Sequence, residues 1–308
     1  MKYSIVIPVF NEEGNVGRLH SKIVDAMKDF SEDYEIIFVD DGSTDKTYKE
    51  LLELKNLKII RFRKNFGQTA AMSAGFSAAT GDVIISMDGD LQNDPKDIRK
   101  LVDKLHEGYD AVSGWRAKRR DSFSKKIFSR FANWLRGFFI RDPVHDSGCS
   151  LKAFRKECFE DIDLYGEMHR YIPAILTWKG FEIGEVKVNH YPRRHGKTKY
   201  GWKRLVKGFM DLINVWFWRK FSNRPLHLFG GFGILMMMFG GLLALYSLYK
   251  RIFFGLDLSD NFASTASLLL ALIGVNFFIS GLMADITIKT YYNGKGKKPY
   301  SIKDVVER

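Results

Sequence analysis

The sequence predicts an α/β domain with a mostly parallel sheet, followed by an apolar helical hairpin. Short β-rich runs alternate with helical patterns over residues 1–115, and residues 226–249 and 261–284 are two stretches of 24 residues without Asp, Glu, Lys or Arg. Charge follows the same division. The 308 residues carry a net charge of +12. Residues 1–115 hold 15 Lys and Arg against 20 Asp and Glu, residues 116–225 hold 25 against 11, and residues 226–308 hold 8 against 5. The excess positive charge therefore belongs to the middle third, between an acidic domain and the apolar stretches. With 45% hydrophobic residues the chain can bury a core, which excludes a disordered tail protein. Two cysteines exclude a disulfide framework, and with no zinc-type spacing Cys149 and Cys158 read as small core residues of a reducing compartment.

Strands are expected at 3–9, 35–40, 57–62, 83–87 and 111–113, with helices at 16–30, 46–54, 69–79 and 97–106 between them. That order implies a parallel sheet with helices on both faces, in which ligands bind beyond the carboxyl ends of the strands. Polar residues follow three of those ends: Phe10-Asn11-Glu12, Asp40-Asp41-Gly42-Ser43 and Asp88-Gly89-Asp90-Leu91-Gln92. Turns and helix caps use the same residue types, and Ser43, Thr44 or Asp45 suits a cap. Capping does not explain several carboxylates converging on one sheet edge. A divalent cation does: Asp88 and Asp90 offer hard oxygens to Mg²⁺ or Mn²⁺, which would hold a diphosphate. The chain has neither a Gly-Lys-Ser/Thr phosphate loop nor a dinucleotide fingerprint, so kinase, ATPase and dehydrogenase readings lose their main support.

Two helical periods precede the apolar stretches. In 125–141, Ile127, Phe128, Phe131, Trp134, Leu135 and Phe138 oppose Lys125, Lys126, Arg130 and Arg136. In 202–217, Trp202, Leu205, Phe209 and Trp216 oppose Lys203, Arg204 and Lys207. An aromatic face beside a basic one suits a helix lying in the headgroup plane. Each charge-free stretch would reach about 36 Å as a helix, enough to span a bilayer core of about 30 Å. Arg219, Lys220 and Arg224 precede the first span and six Lys or Arg follow the second, against only Lys250 and Arg251 between them. Both termini are therefore expected on the cytoplasmic face. Asp285, at the end of its span, reads as interfacial. The opening residues, with one Lys and an apolar run ended by Pro8, do not have the pattern of a signal peptide, so the first domain is expected in the cytoplasm.

IVIPVFNEE, VDDGSTD, RKNFGQTAA and MDGDLQNDP, in that order and spacing, resemble the catalytic domain of glycosyltransferase family 2, which has the GT-A fold. DSGCSLKAFRK, HRYIPAI, PRRHGKTKYG and the two spans extend the likeness over essentially the whole chain. They narrow it to the polyprenyl-phosphate glycosyltransferases. The resemblance implies that Pro8, Phe10, Glu12 and Asp40 surround the base and ribose of a UDP- or GDP-linked sugar. It gives Asp88 and Asp90 to the metal and diphosphate, with Gln92 as a further metal ligand. Asp146 falls where relatives carry the residue usually proposed as base. Arg116 and Arg130 fall where the family's lipid-phosphate arginines occur, joined by Arg193 and Lys199 in a glycine-containing loop. His169 and Arg170 are placed to close over sugar or diphosphate. No Gln-x-x-Arg-Trp segment of processive synthases is present, which favours single transfer.

The implied reaction is attack by the phosphate of an undecaprenyl or dolichyl acceptor on the anomeric carbon, with inversion. A phosphate monoester has a second pKa near 6, so the nucleophile is largely ionised at neutral pH, and Asp146 is expected to position it rather than to supply most of the rate. The domains expected are a catalytic domain at 1–200, a juxtamembrane helix at 201–225, a hairpin at 226–288 and a basic cytoplasmic tail at 289–308. Membrane lipid is an expected partner, nucleic acid is not, and the spans leave surface that a homo-oligomer would bury. Transfer to another lipid such as diacylglycerol is the competing enzymatic reading. A non-enzymatic binder of anionic lipid or nucleic acid is the other, and it predicts no role for Asp88 or Asp90.

Overall fold

The computed structural model describes residues 1–117, 144–160, 162, 164, 168–192, 217, 225–255, 257–258, 261–293 and 302–308. The expected interfacial helix at 125–141, nearly all of 202–217, and Arg130, Arg193 and Lys199 lie outside the described residues. The chain divides into two units, Met1–Val215 with Lys298–Arg308, and Trp216–Lys297.

In the first unit β1 (Tyr3–Val9), α1 (Val16–Met27), β2 (Tyr34–Asp40), α2 (Thr47–Glu53), β3 (Lys58–Phe62), α3 (Gln68–Ala78), β4 (Val83–Ser86), α4 (Ile98–His106) and β5 (Ala111–Trp115) follow the expected order. Then come β6 (Lys152–Arg155), α5 (Ile172–Trp178), β7 (Ile183–Lys187) and, at the chain's end, β8 (Ile302–Glu307). The sheet order is β7-β5-β6-β4-β1-β2-β3-β8. Alternation along the strands fills two cores. Tyr3, Ile5, Ile7, Ile36 and Phe38 pack with α1, α2 and α4 on one face. Val6, Ile37, Val39 and Ile84 pack with α3 and α5 on the other.

Two features of this topology position the site. The chain leaves β1 towards β2 on one side and returns as β4 on the other, so the strand order reverses at β1 and opens a crevice at the carboxyl ends of β1 and β4. Antiparallel β6 then enters the sheet from that same edge: its first residue, Lys152, pairs with Ser86 near the end of β4 and with Ser113 near the end of β5. The turn preceding β6, which carries Asp146, is thereby brought to the edge that carries Asp88.

The C-terminal residues, expected as a basic tail, include an edge strand. Lys58 to Phe62 of β3 pair antiparallel with Glu307 to Ile302, and Lys58 Nζ lies 2.8 Å from Glu307. The charged residues of β8 hid its Ile302-Val305-Val306 content, and most of its surface stays exposed, as suits an edge.

The second unit holds α6 (Pro225–Phe254) and α7 (Phe262–Asn293). Their most apolar stretches have mean hydropathy 2.1, and only 17% and 11% of the residues in them are buried. A core helix of a soluble protein would be mostly covered, so this exposed apolar surface calls for lipid. Small residues let the helices meet closely: a Cβ on Gly233 would lie 2.6 Å from the Gly274 carbonyl oxygen, and one on Gly274 would lie 2.7 Å from that of Gly233. Gly274→Leu is expected to force α6 and α7 apart, read as a lower thermal midpoint in detergent, whereas Gly231→Leu, at a position with open space, should leave it unchanged.

Candidate active site

Three turns are stitched together at the crevice. Asn11, at φ 54°, accepts the Thr44 backbone N–H at 2.9 Å through Oδ1, and its own N–H donates to Ser43 Oγ at 3.0 Å. Glu12 N–H donates to Thr47 Oγ1 at 2.8 Å, and Glu12 Oε2 accepts from Asn15 Nδ2 at 2.6 Å. Asp41 accepts the N–H groups of Phe66 and Gly67 at 2.7 and 2.9 Å, fixing the approach to α3. Phe10, at the mouth of this region, is 42% exposed, which suits an aromatic surface for a base. Asp40, which the resemblance sets beside the nucleotide, ends β2 at this crevice. It is fully buried, Oδ1 takes the Ser43 N–H at 2.8 Å, and Oδ2 lies 3.5 Å from Arg61 Nε. Its carboxylate holds the turn after β2 from beneath, because the β2 terminus lies between two neighbouring strands.

Asp88-Gly89-Asp90 follows β4 across the crevice. A Cβ on Gly89 would lie 2.6 Å from Val9 Cγ1, so the close approach of this turn to β1 requires glycine. Leu91 has φ 61°, a costly conformation for leucine, held by burial of its side chain in the core. Asp90 Oδ1 accepts the Gln92 N–H at 3.1 Å, and Asp88 Oδ1 accepts from Gln68 Nε2 at 2.7 Å. Gln92 is pinned to the strand-like segment beyond β7: Tyr191 N–H donates to its carbonyl at 2.8 Å, and its Nε2 donates to Tyr191 O at 3.2 Å. The chain enters residues 193–200, with Arg193 and Lys199, directly after this anchor.

Burial pushes the Asp88 carboxyl above the ordinary carboxylate range, and the charge of Asp90 pushes the same way. Two carboxylates whose charges oppose one another are what a divalent cation would neutralise. Among the described residues no group of three or more His, Cys, Asp or Glu is arranged to hold a metal. Two carboxylates and the Gln92 amide fit a hard cation that draws its remaining oxygens from phosphate and water.

On the far side of Asp88, Arg116 and Asp146 form a two-pronged ion pair: Nε donates to Oδ2 at 2.6 Å and Nη2 to Oδ1 at 2.8 Å. Burial would raise the Asp146 carboxyl, but the Arg116 hydrogen bonds and charge outweigh it and hold the group below its usual range. Arg116, expected to meet lipid phosphate, thus turns two of its donors to Asp146. Thr69 Oγ1 lies 2.7 Å from His169 Nδ1, which ties the segment before α5 to the first turn of α3. Gln68, Glu185 and Lys152 also belong to the site. Sequence reasoning gave them no role: the partners of Gln68 and Glu185 lie 20 or more residues away, and Lys152 bonds backbone carbonyls of the turn before it, which no side-chain motif marks.

Residues 4–163 match the model of Glycosyl transferase family 2. Over 316 aligned residues the chain is 37% identical to a protein of Rhizobium johnstonii named dodecaprenyl-phosphate galacturonate synthase, covering 100% of this chain and 94% of that one. The chain belongs to glycosyltransferase family 2. This family 2 enzyme is also 32% identical to undecaprenyl-phosphate 4-deoxy-4-formamido-L-arabinose transferase of Proteus mirabilis, across 99% of this chain and 94% of the relative. Among solved structures it resembles glucosyl-3-phosphoglycerate synthase of Mycobacterium tuberculosis in complex with Mn²⁺, UDP-glucose and phosphoglyceric acid. The TM-score is 0.56 at 18% identity, over 71% of this chain and 79% of that one. That likeness establishes the GT-A fold for this glycosyltransferase.

Proposed function

We propose that this family 2 glycosyltransferase transfers one sugar, with inversion, from a UDP- or GDP-linked donor to the phosphate of a polyprenyl phosphate at the cytoplasmic membrane face. The observation that carries the reading is the juxtaposition produced by β6: the Asp146–Arg116 pair stands at the sheet edge that also bears Asp88 and Asp90. The relatives named above carry dodecaprenyl and undecaprenyl phosphate in their names, over nearly the whole of this chain.

In this reading Phe10 and the stitched turns after β1 and β2 receive the nucleoside, and Asp88, Asp90 and Gln92 would hold Mg²⁺ or Mn²⁺. Bound there, the cation would supply electrostatic stabilisation of charge on the departing diphosphate. The acceptor phosphate arrives already ionised, so the protein must orient it rather than deprotonate it. Arg116 lends positive charge to that orientation while Asp146 fixes the guanidinium plane. Arg130, Arg193 and Lys199 come from the basic segments that would meet the headgroups.

The membrane orientation has support from both chain ends. β8 follows the second apolar helix yet pairs with β3, so a chain crossing twice returns to the side of the catalytic sheet. The basic flanks favour the cytoplasm for that side.

The test is transfer by purified enzyme in detergent, with undecaprenyl phosphate, Mn²⁺ and a panel of radiolabelled nucleotide sugars beginning with galacturonate and 4-deoxy-4-formamido-L-arabinose donors. Label in a lipid that survives mild alkali is the expected result. Label confined to an alkali-labile ester lipid would transfer the proposal to a diacylglycerol acceptor, and no labelled lipid with any donor would end it.

A further inference from the structure

Lys152 is an amine in the protein interior, 3% exposed, and nothing in the proposed chemistry uses it. Such burial is costly unless the ammonium is well bonded. Its Nζ donates to the Ser147 carbonyl at 3.2 Å and to the Cys149 carbonyl, both in the turn that follows Asp146. The turn is gripped from its other end by Glu185 of β7. Glu185 Oε1 accepts the backbone N–H groups of His145 at 2.9 Å and Asp146 at 3.3 Å, while Oε2 lies 2.6 Å from His145 Nδ1. The His145 ring stacks on Trp115 at 4.6 Å with an interplanar angle of 17°, next to Arg116 in the chain.

These contacts form one device. N–H groups at the head of the turn point to an anion on β7, and carbonyls at its tail point to a cation on β6. The Asp146 side chain between them is left for Arg116. Both anchors sit on sheet strands, and Ser113 of β5 pairs with Lys152 on one side and with Glu185 on the other. A rigid sheet, rather than the loop itself, therefore sets where the Asp146 carboxylate lies.

We infer that Lys152 and Glu185 are positioning residues that clamp the Asp146 turn and thereby fix the acceptor side of the site. This rests on the reading in which Asp146 and Arg116 meet the acceptor. Burial pulls the Lys152 ammonium below its ordinary range, a shift that the neighbouring Cys149, Asp146 and Asp88 oppose.

The test uses full-length enzyme with undecaprenyl phosphate and the donor found above, comparing Lys152→Met, Lys152→Arg and Glu185→Gln. The acceptor KM is expected to rise about 10-fold or more in Lys152→Met and Glu185→Gln, with the donor KM of Glu185→Gln within about two-fold of wild type; Lys152→Met also removes a charge that bears on Asp88. Lys152→Arg, still able to donate to both carbonyls, should recover most of the loss. The Mn²⁺-dependent thermal shift with nucleoside diphosphate should persist in every variant. If Lys152→Met does not fold, Glu185→Gln, at the edge of the turn, decides alone. Donor and acceptor KM rising together in Glu185→Gln, wild-type constants throughout, or an arginine variant as poor as the methionine one would each overturn the clamp. Wild-type enzyme that fails to use polyprenyl phosphate at all would instead overturn the underlying reading.

Discussion

Asp90→Ala is expected to lower transfer by about 10²–10³-fold, and Asp88→Asn to lower it comparably while raising the thermal midpoint of metal-free protein. The two outcomes have one cause. Burial and the neighbouring Asp90 charge both penalise ionised Asp88, so its folded-state pKa lies above its unfolded value. A carboxyl shifted that way costs stability in full above its folded pKa, and the cost shrinks as pH falls from that value and is gone below the unfolded one. Asparagine is neutral at every pH and can still accept from Gln68, whose Nε2 is 2.7 Å from Asp88 Oδ1. The metal-free variant should therefore melt higher at pH 7, by about 2–4 °C for each kcal/mol relieved. Adding Mn²⁺ should raise the wild-type midpoint through binding to the native state and have little effect on either variant. Calorimetry in EDTA and in Mn²⁺ reads both effects. A destabilised Asp88→Asn protein that keeps a wild-type metal shift would show that the pair does not serve a cation.

The first five strands and four helices were legible because each is a local pattern of the right length, and their alternation alone implies the parallel sheet. β6 and β7 were not. Lys152–Arg155 is four residues with a charge at each end, and Ile183–Lys187 contains Gly184 and Glu185, so neither shows a clean alternation. Both are strands because the sheet supplies partners: Ser113 pairs with Lys152 on one side and Glu185 on the other. The same reason hid β8, which reads as charged tail until β3 offers an edge. At the site, Asp88, Asp90, Asp146 and Arg116 were identifiable through their motifs, but the pairing of Arg116 with Asp146 was not, since 30 residues separate them. Asp40 is ambiguous in the sequence because an acidic residue at a strand end suits either a ligand or a turn. In the structure Oδ1 holds the turn through the Ser43 N–H, while the buried Oδ2, 3.5 Å from Arg61 Nε, accepts no hydrogen bond among the described residues.

Asp146→Asn is expected to lose activity at every pH between 5 and 9 and to regain none at the alkaline end. The two-pronged bond from Arg116 decides this. Nε and Nη2 need two acceptor oxygens, at 2.6 and 2.8 Å, and asparagine offers one oxygen and a competing donor. The wild-type carboxyl is held below its usual range, so the stability it confers is complete above the unfolded value of about 3.9 and is lost only as pH falls through the lower folded value. Across the assay range Asp146 does not titrate, and a group that does not titrate leaves no limb in the pH–rate profile. Arg116→Ala should be at least as damaging, because it removes the guanidinium and leaves a carboxylate only 17% exposed without its partner. Breaking such a pair costs about 2–5 kcal/mol when fully desolvated, and the water left at this site favours the low end, about 2–3 kcal/mol in transition-state stabilisation. In the double variant no charge is stranded, so its loss should fall well short of the sum of the two single losses, a coupling that a double-mutant cycle in kcat/KM measures directly. Alkaline rescue of Asp146→Asn, or strict additivity in the cycle, would mean that Asp146 acts on a proton independently of Arg116.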